Sequence, residues 1–296
     1  MKLLMFSSKF SDLRFGAFIN ERIIDLVRAS EVIGIPVSKS IQDVLIKPYG
    51  MLELKRLIDH ITEYWDKIEF GENTVWEEDQ IQWFPPVYAG KIICVGLNYK
   101  QHVQEVGIEA PADPTLFSKV STTLIGHQGV IPYIKDSNSL DYEAELAVII
   151  GKKGKCIQKE KALEYIAGYS CFNDVTVREY QFKTTQWMQG KNFDGHGPLG
   201  PMLITPDEVE DISSSKIILR LNGKVMQQSH IGDMIFDVPT LIETISRIMT
   251  LNPGDVISTG TPAGVGFGRN PKVYMQCGDV VEVEITQIGK LRNFVK

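Results

Sequence analysis

Residues 140–151 read Leu-Asp-Tyr-Glu-Ala-Glu-Leu-Ala-Val-Ile-Ile-Gly, an apolar/acidic alternation that predicts a β-strand. Side chains alternate across a strand, so Leu140, Tyr142, Ala144, Leu146, Val148 and Ile150 share one face, and Asp141, Glu143 and Glu145 share the other. Two residues advance a strand by roughly 6.6 Å, which lets carboxylates at i and i+2 converge on one cation. Without such a cation, like charges this close raise one another's pKa. A solvated outer face also accounts for the acids, and spacing alone leaves both readings standing. Two features weigh against solvation: the acidic face turns apolar at Ile149, and a second strand-like run at 169–175 carries a further acid, Asp174, after Asn173. Oxygen donors without Cys or His suit Mg²⁺, Mn²⁺ or Ca²⁺ better than zinc.

The rest of the chain narrows the class. Its 296 residues are enough for one large domain with a sizeable core, or a large and a small one. A hydrophobic fraction of 43% with 23% charged residues is ordinary globular composition, and a net charge of -6 makes nucleic acid and anionic membranes poor partners. The cysteines Cys94, Cys156, Cys171 and Cys277 form no C-x-x-C pair, so reduced thiols are expected. The apolar run after Lys2 is too short for a signal peptide, and no segment has the length of a membrane span; a soluble cytoplasmic protein is the expectation.

Along the chain, 1–84 reads as a small N-terminal domain of two short strands (2–7, and 15–26 folded back near Asn20-Glu21) followed by helices. Ser40 and Asp43 resemble a capping box, and Leu54, Leu57, Ile58 and Ile61 recur at helical spacing. Phe84-Pro85-Pro86 marks the boundary, and 85–296 is strand-rich. There Asn222-Gly223 predicts a hairpin, and Asp237 with Pro239 opens a helix. Strands 255–258 and 279–286 are read as closing the chain, with 195–201 as a Gly/Pro-rich turn.

Other groups carry weaker signals. His102 and Glu105 are three apart on a predicted helix, a spacing that suits a carboxylate-oriented general base and equally an ordinary helical ion pair. Lys191 sits in a predicted loop, where a lysine is usually solvated and a functional one would hold a substrate carboxylate or oxyanion. The run from Gly260 to Gly268 matches neither a P-loop nor a dinucleotide fingerprint. It reads as a plain turn cluster or as a loop whose N–H groups and Thr261 hydroxyl face a small anion. His127, His196 and His230 are left as turn or core histidines, and no Gly-x-Ser-x-Gly elbow supports a Ser-His-Asp enzyme.

In order, G-L-N-Y-K-Q-H-V-Q-E (96–105), D-Y-E-A-E-L-A-V-I-I-G (141–151), F-N-D-V-T-V-R-E-Y-Q (172–181), Q-G-K-N-F-D (189–194), D-M-I-F (233–236) and G-D-V-I-S-T-G-T-P-A-G-V-G (254–266) resemble the fumarylacetoacetate hydrolase superfamily, from about Lys91 to the C-terminus. The resemblance implies a mixed α/β, β-rich fold: a catalytic domain built as a mixed β-roll with a small N-terminal α+β domain, usually homodimeric. It implies that Glu143, Glu145 and Asp174 hold Mg²⁺ or Mn²⁺, that His102 and Glu105 activate water on a segment ordering over the substrate, and that Lys191 lies near the substrate oxyanion. Arg178, Gln181 and Thr261 match substrate-side positions. One departure matters: 94–99 offers no extra Asp before the His, so the chain resembles the branch handling acylpyruvates, oxaloacetate and related 2-oxo acids.

The expected activity is therefore metal-dependent hydrolysis of a C–C bond in a 2,4-dioxo acid, through an enolate held by the metal. Oxaloacetate decarboxylation, and isomerisation or hydration of an unsaturated 2-oxo acid, draw on the same enolate. A metal-binding scaffold or regulator is the non-enzymatic alternative.

Overall fold

The computed structural model of the chain describes residues 1–8 and 12–296. The acidic stretch is strand, in two pieces. Leu140–Asp141 pairs antiparallel with Thr176–Val177; the chain steps at Tyr142 and Glu143, then resumes as Ala144–Ile150. The step occurs where side chains replace the ladder: the Glu143 N–H donates to Asn173 Oδ1 at 3.0 Å, and the Ala144 N–H to Gln227 Oε1 at 2.9 Å.

Ala144–Ile150 lies between Ile166–Asn173 and Val256–Ser258, antiparallel to both, with Ala144 opposite Asn173 and Ala147 opposite Ser258. Its alternation separates two cores. Leu146, Val148 and Ile150 pack with Leu219, Val283 and Ile285 of a second sheet, whereas Ala147 and Ile149 pack with Leu203 and with Leu54 and Leu57 of helix Gly50–Glu63. The strand therefore has no solvent face, and the apolar turn at Ile149 follows from that.

Val256–Ser258 runs parallel to Ile92–Gly96, which pairs antiparallel with Thr115–Lys119. On the other flank, Ile166–Asn173 pairs with Gly197–Ile204, which in turn meets Lys2–Ser8. The second sheet holds the hairpin Lys216–Leu221 and Lys224–His230, then Val280–Ile285, Gly289–Val295 and Val130–Ile131. The mixed, strand-rich architecture agrees with the expectation. Among the described residues no helix is long and apolar enough to cross a membrane.

Two local readings are corrected. The Gly/Pro run at 195–201 is no mere turn: Gly197–Ile204 is an interior strand. Its register with the neighbouring strand shifts between the Cys171–Gly200 and Tyr169–Ile204 pairs, and Pro201, which has no N–H for the ladder, falls in that irregular stretch. The chain also closes on a further strand, Gly289–Val295, paired with Val280–Ile285.

Residues 1–84 contribute to the same sheet. Lys2 and Leu3 stand opposite Ile204 and Leu203, the hairpin Arg14–Ile19 and Arg22–Asp25 extends outward, and Ser40 caps helix Ile41–Ile46 by accepting the Asp43 N–H. The apolar faces of the two helices bury Ile41, Val44, Leu54, Leu57 and Ile61 against Phe172 and Leu199.

Candidate active site

The step at Tyr142 and Glu143, and the matching gap between Ile166–Asn173 and Thr176–Val177, set three acids side by side. Glu143 and Glu145 flank the start of Ala144–Ile150, and Asp174 follows the end of Ile166–Asn173, so carboxylate oxygens of all three lie within 4.8 Å of one another. They are 5%, 2% and 0% exposed, which rules out the solvated face. Asp141 is buried as well, but it serves as a brace: it accepts Arg178 Nε at 2.8 Å and the N–H groups of Gly266 and Phe267 at 2.8 and 2.9 Å.

Lys191 is not in a solvated loop. It ends the short helix Met188–Lys191 and is 2% exposed, with Nζ 2.7 Å from both Glu143 Oε2 and Asp174 Oδ2. Arg178, on helix Arg178–Gln181, reaches Glu143 Oε1 at 2.8 Å and donates to Gln181 Oε1 at 2.9 Å. Sequence reasoning missed Lys119. At the end of Thr115–Lys119, with its side chain fully buried, it donates to Asp174 Oδ1 at 2.8 Å and to the Val175 carbonyl at 3.2 Å. Its partner is 55 residues away in sequence, so no local spacing signals the pair.

Burial alone would raise the Glu143 carboxyl, yet the charges of Lys191 and Arg178 overcome it and lower the pKa to about 2. Glu145 goes the other way: burial, then the adjacent charges of Asp174 and Glu143, push it well up. It takes hydrogen bonds from Ser258 Oγ and from the Gly260 N–H at 2.9 Å, and among the described residues it has no salt bridge to a lysine or arginine.

His102 and Glu105 lie on helix Lys100–Val106, with Nδ1 3.1 Å from Glu105 Oε2. Glu105 Oε1 accepts the Gly264 N–H at 2.9 Å, which fixes the carboxylate. The glycine-rich loop thus does face anions, but they are the protein's own: Glu145, Glu105, and Asp141 through Gly266 and Phe267. Gly264 has φ +104°, and a Cβ on Gly266 would stand 1.8 Å from the Val273 carbonyl oxygen, so the loop can follow this path only with glycine there. Thr261 Oγ1 accepts from Gln227 Nε2 at 2.8 Å, and Gln227 Oε1 accepts the Ala144 N–H, tying the loop to the acidic strand. Asn98 performs a similar task, bonding the backbone of Phe236 and Thr259.

His102, Glu143, Glu145, Arg178, Gln181, Lys191 and Thr261 line one cavity of about 300 Å³; Glu105 and Asp174 stand one contact behind its wall. Residues 91–296 match the family described as fumarylacetoacetate (FAA) hydrolase, C-terminal. The chain belongs to the fumarylacetoacetate hydrolase family. It is 36% identical over 298 residues to a fumarylacetoacetate hydrolase domain-containing protein 2 homolog from Dictyostelium discoideum, covering 96% of this chain and 92% of that one. It is 42% identical over 218 residues to the mitochondrial oxaloacetate tautomerase Fahd2a of Rattus norvegicus, covering 73% and 70% respectively. The solved fumarylacetoacetate hydrolase of Exiguobacterium antarcticum superposes with a TM-score of 0.81 at 34% identity, covering 100% of this chain and 99% of that one.

Fumarylacetoacetate hydrolase family enzymes use divalent metals, and the donor set here fits one. Asp141, Glu143, Glu145 and Asp174 are buried acids, against the buried cations Lys119, Arg178 and Lys191, so one negative charge is left uncompensated. That excess falls at Glu145, the acid without an ion pair. An oxygen-preferring divalent cation among Glu143, Glu145 and Asp174 relieves the repulsion that raises Glu145.

Proposed function

We propose that the protein is a metal-dependent enzyme acting on 2-oxo acids by proton transfer at the carbon next to the ketone. The supporting observation is a buried acid cluster and an oriented histidine on the wall of one cavity. Mg²⁺ or Mn²⁺ at Glu143, Glu145 and Asp174, when bound, supplies Lewis-acid polarisation of the 2-oxo carbonyl.

The chain's own groups do the rest. With Glu105 accepting from Nδ1, the Nε2 lone pair of His102 serves as the base. It takes a proton from C3 of the 2-oxo acid, and the electron pair of that C–H bond moves onto the ketone oxygen. Lys191 donates a hydrogen bond to that oxygen, and Arg178 and Gln181 hold the substrate carboxylate. Return of the proton to oxygen completes a keto–enol interconversion, the reaction type carried in the name of the rat relative.

Hydrolysis of the C–C bond of a 2,4-dioxo acid is the second reading, favoured by the apolar part of the cavity wall, which includes Val106, Ile108 and Phe117 and suits an acyl tail. There His102 deprotonates water, which adds to C4, and collapse breaks the C3–C4 bond to release a carboxylic acid and the pyruvate enol. The test follows enol-to-keto conversion of oxaloacetate and of phenylpyruvate in the ultraviolet, beside enzyme-coupled pyruvate release from oxaloacetate and from an acylpyruvate, with and without Mn²⁺. Metal-dependent conversion without pyruvate supports the tautomerase. Pyruvate from the acylpyruvate supports the hydrolase, and pyruvate from oxaloacetate makes the enzyme a decarboxylase. Metal uptake with no conversion of any of these acids would overturn the proposal.

A further inference from the structure

Beyond the acidic end, the cavity wall changes character. Phe117 and Trp187 stack edge to face, with centroids 5.4 Å apart at 73°, while Phe182 and Phe267 meet at 5.1 Å and 45°. Both pairs line the cavity, with Val106 and Ile108 from the dyad helix and the residues after it. Trp187 can lie where it does because residue 96 is glycine: a Cβ there would stand 2.4 Å from the indole Cζ3. The lining cations among the described residues, Arg178 and Lys191, lie 5.7 and 5.1 Å from the Phe267 and Phe117 ring centroids, and both are ion-paired to the protein's own acids, Asp141, Glu143 and Asp174. Lys272 lies over the Phe267 ring at 4.2 Å and is not part of the lining.

We infer that this outer chamber is an aromatic slot that selects 2-oxo acids bearing an apolar, planar substituent over those bearing a second carboxylate, with Trp187 as the specificity-determining residue. The inference rests on the 2-oxo acid reading above. A ring entering the slot exchanges water for aromatic faces and gains both burial and edge-to-face contact. A second carboxylate entering it loses water and meets, among the described lining residues, only cations already ion-paired to the protein's own acids, a penalty that burial does not offset.

Three probes share a 2-oxo acid head and have nitrogen where C3 would be, so they cannot enolise: oxamate, N-phenyloxamate and N-oxalylglycine. Their dissociation constants are measured by calorimetry on the full-length, Mn²⁺-loaded protein. N-phenyloxamate is expected to bind at least ~10-fold tighter than oxamate, as burial of an aromatic ring implies, and N-oxalylglycine no tighter than oxamate. Trp187→Ala is expected to erase ~10-fold of the N-phenyloxamate affinity while leaving oxamate within ~2-fold. Phe182→Ala is the second variant, since Phe182 is already 55% exposed and its loss leaves the core intact; a smaller loss confined to N-phenyloxamate is expected. Tighter binding of N-oxalylglycine than of N-phenyloxamate would overturn the slot and leave the 2-oxo acid reading standing. So would equal weakening of oxamate and N-phenyloxamate in both variants. Failure of all three probes to bind, with Mn²⁺ still taken up, would remove both.

Discussion

Individual residues in this site work in pairs, and the pairs differ in what their loss should do. His102 is the proposed base and Glu105 its orienting partner, held from the other side by the Gly264 N–H. Removing the base by His102→Ala is expected to lower turnover by ~10² to 10⁴, and Glu105→Ala by less, because the imidazole remains. Steady-state kinetics with metal saturating checks the order; equal turnover in wild type and His102→Ala would exclude the role. Lys119 is a different case, buried wholly against Asp174. Lys119→Met leaves part of the Asp174 charge without its counterion, and because Lys191 still pairs with it, a loss of ~3 kcal/mol is expected in urea unfolding. No change in the urea midpoint would show the pair contributes nothing. These two pairs also differ in legibility. The dyad is three residues apart on one helix and can be read from spacing, whereas Lys119 meets Asp174 only through the folded sheet.

At the level of elements, the acidic strand and the glycine-rich loop are legible in type, but their electrostatic relation is not. Loop N–H groups that look available to a small anion are taken by Glu105, Glu145 and Asp141, acids contributed by two other segments. Gly266→Ala tests that relation: the added methyl meets the Val273 carbonyl oxygen, so the loop must shift, with an expected loss of ~1 to 3 kcal/mol and reduced turnover. Thermal melts and kinetics that match wild type would contradict it. The interior strand Gly197–Ile204 hides behind its composition, because Gly and Pro signal a turn unless the register shift that accommodates Pro201 is known. Lys191 looks solvated for a related reason: its ion-pair partners Glu143 and Asp174 lie on other segments of the chain, which local sequence cannot reveal. The final strand was readable, since Leu291 and Val295 are buried and Lys290 and Arg292 point outward.

For the whole molecule, we propose that residues 1–84 form a small unit whose packing on 85–296 is obligatory. Its strand Lys2–Ser8 completes the ladder beside Leu203 and Ile204, and its helices cover Phe172 and Leu199. A chain begun at residue 85 uncovers that apolar face and is expected to aggregate on expression; a soluble, active fragment would refute the proposal. A second global property concerns acid. Burial lowers His127 and His196 from the ordinary 6.5 to about 4, and His127 Nδ1 accepts the Arg292 N–H while His196 bonds the Pro132 carbonyl. The unfolded chain therefore takes up protons first, so stability present above pH 6.5 is lost as pH falls toward about 4. Melting temperature is expected to drop between pH 7 and 5 and to drop less in His127→Gln. A flat profile would contradict the burial of neutral imidazoles.

Glu143, Glu145 and Asp174 are proposed to form a divalent-cation site, and titration of Mn²⁺ into chelator-stripped protein by calorimetry, for the wild type and for Glu145→Gln, tests this. The expected result is saturable binding at one ion per chain in the wild type. In the variant, affinity should fall at least ~10-fold, since even losing an outer-shell partner costs a metal site that much. No saturable uptake by the wild type, or uptake unchanged in Glu145→Gln, would contradict the site.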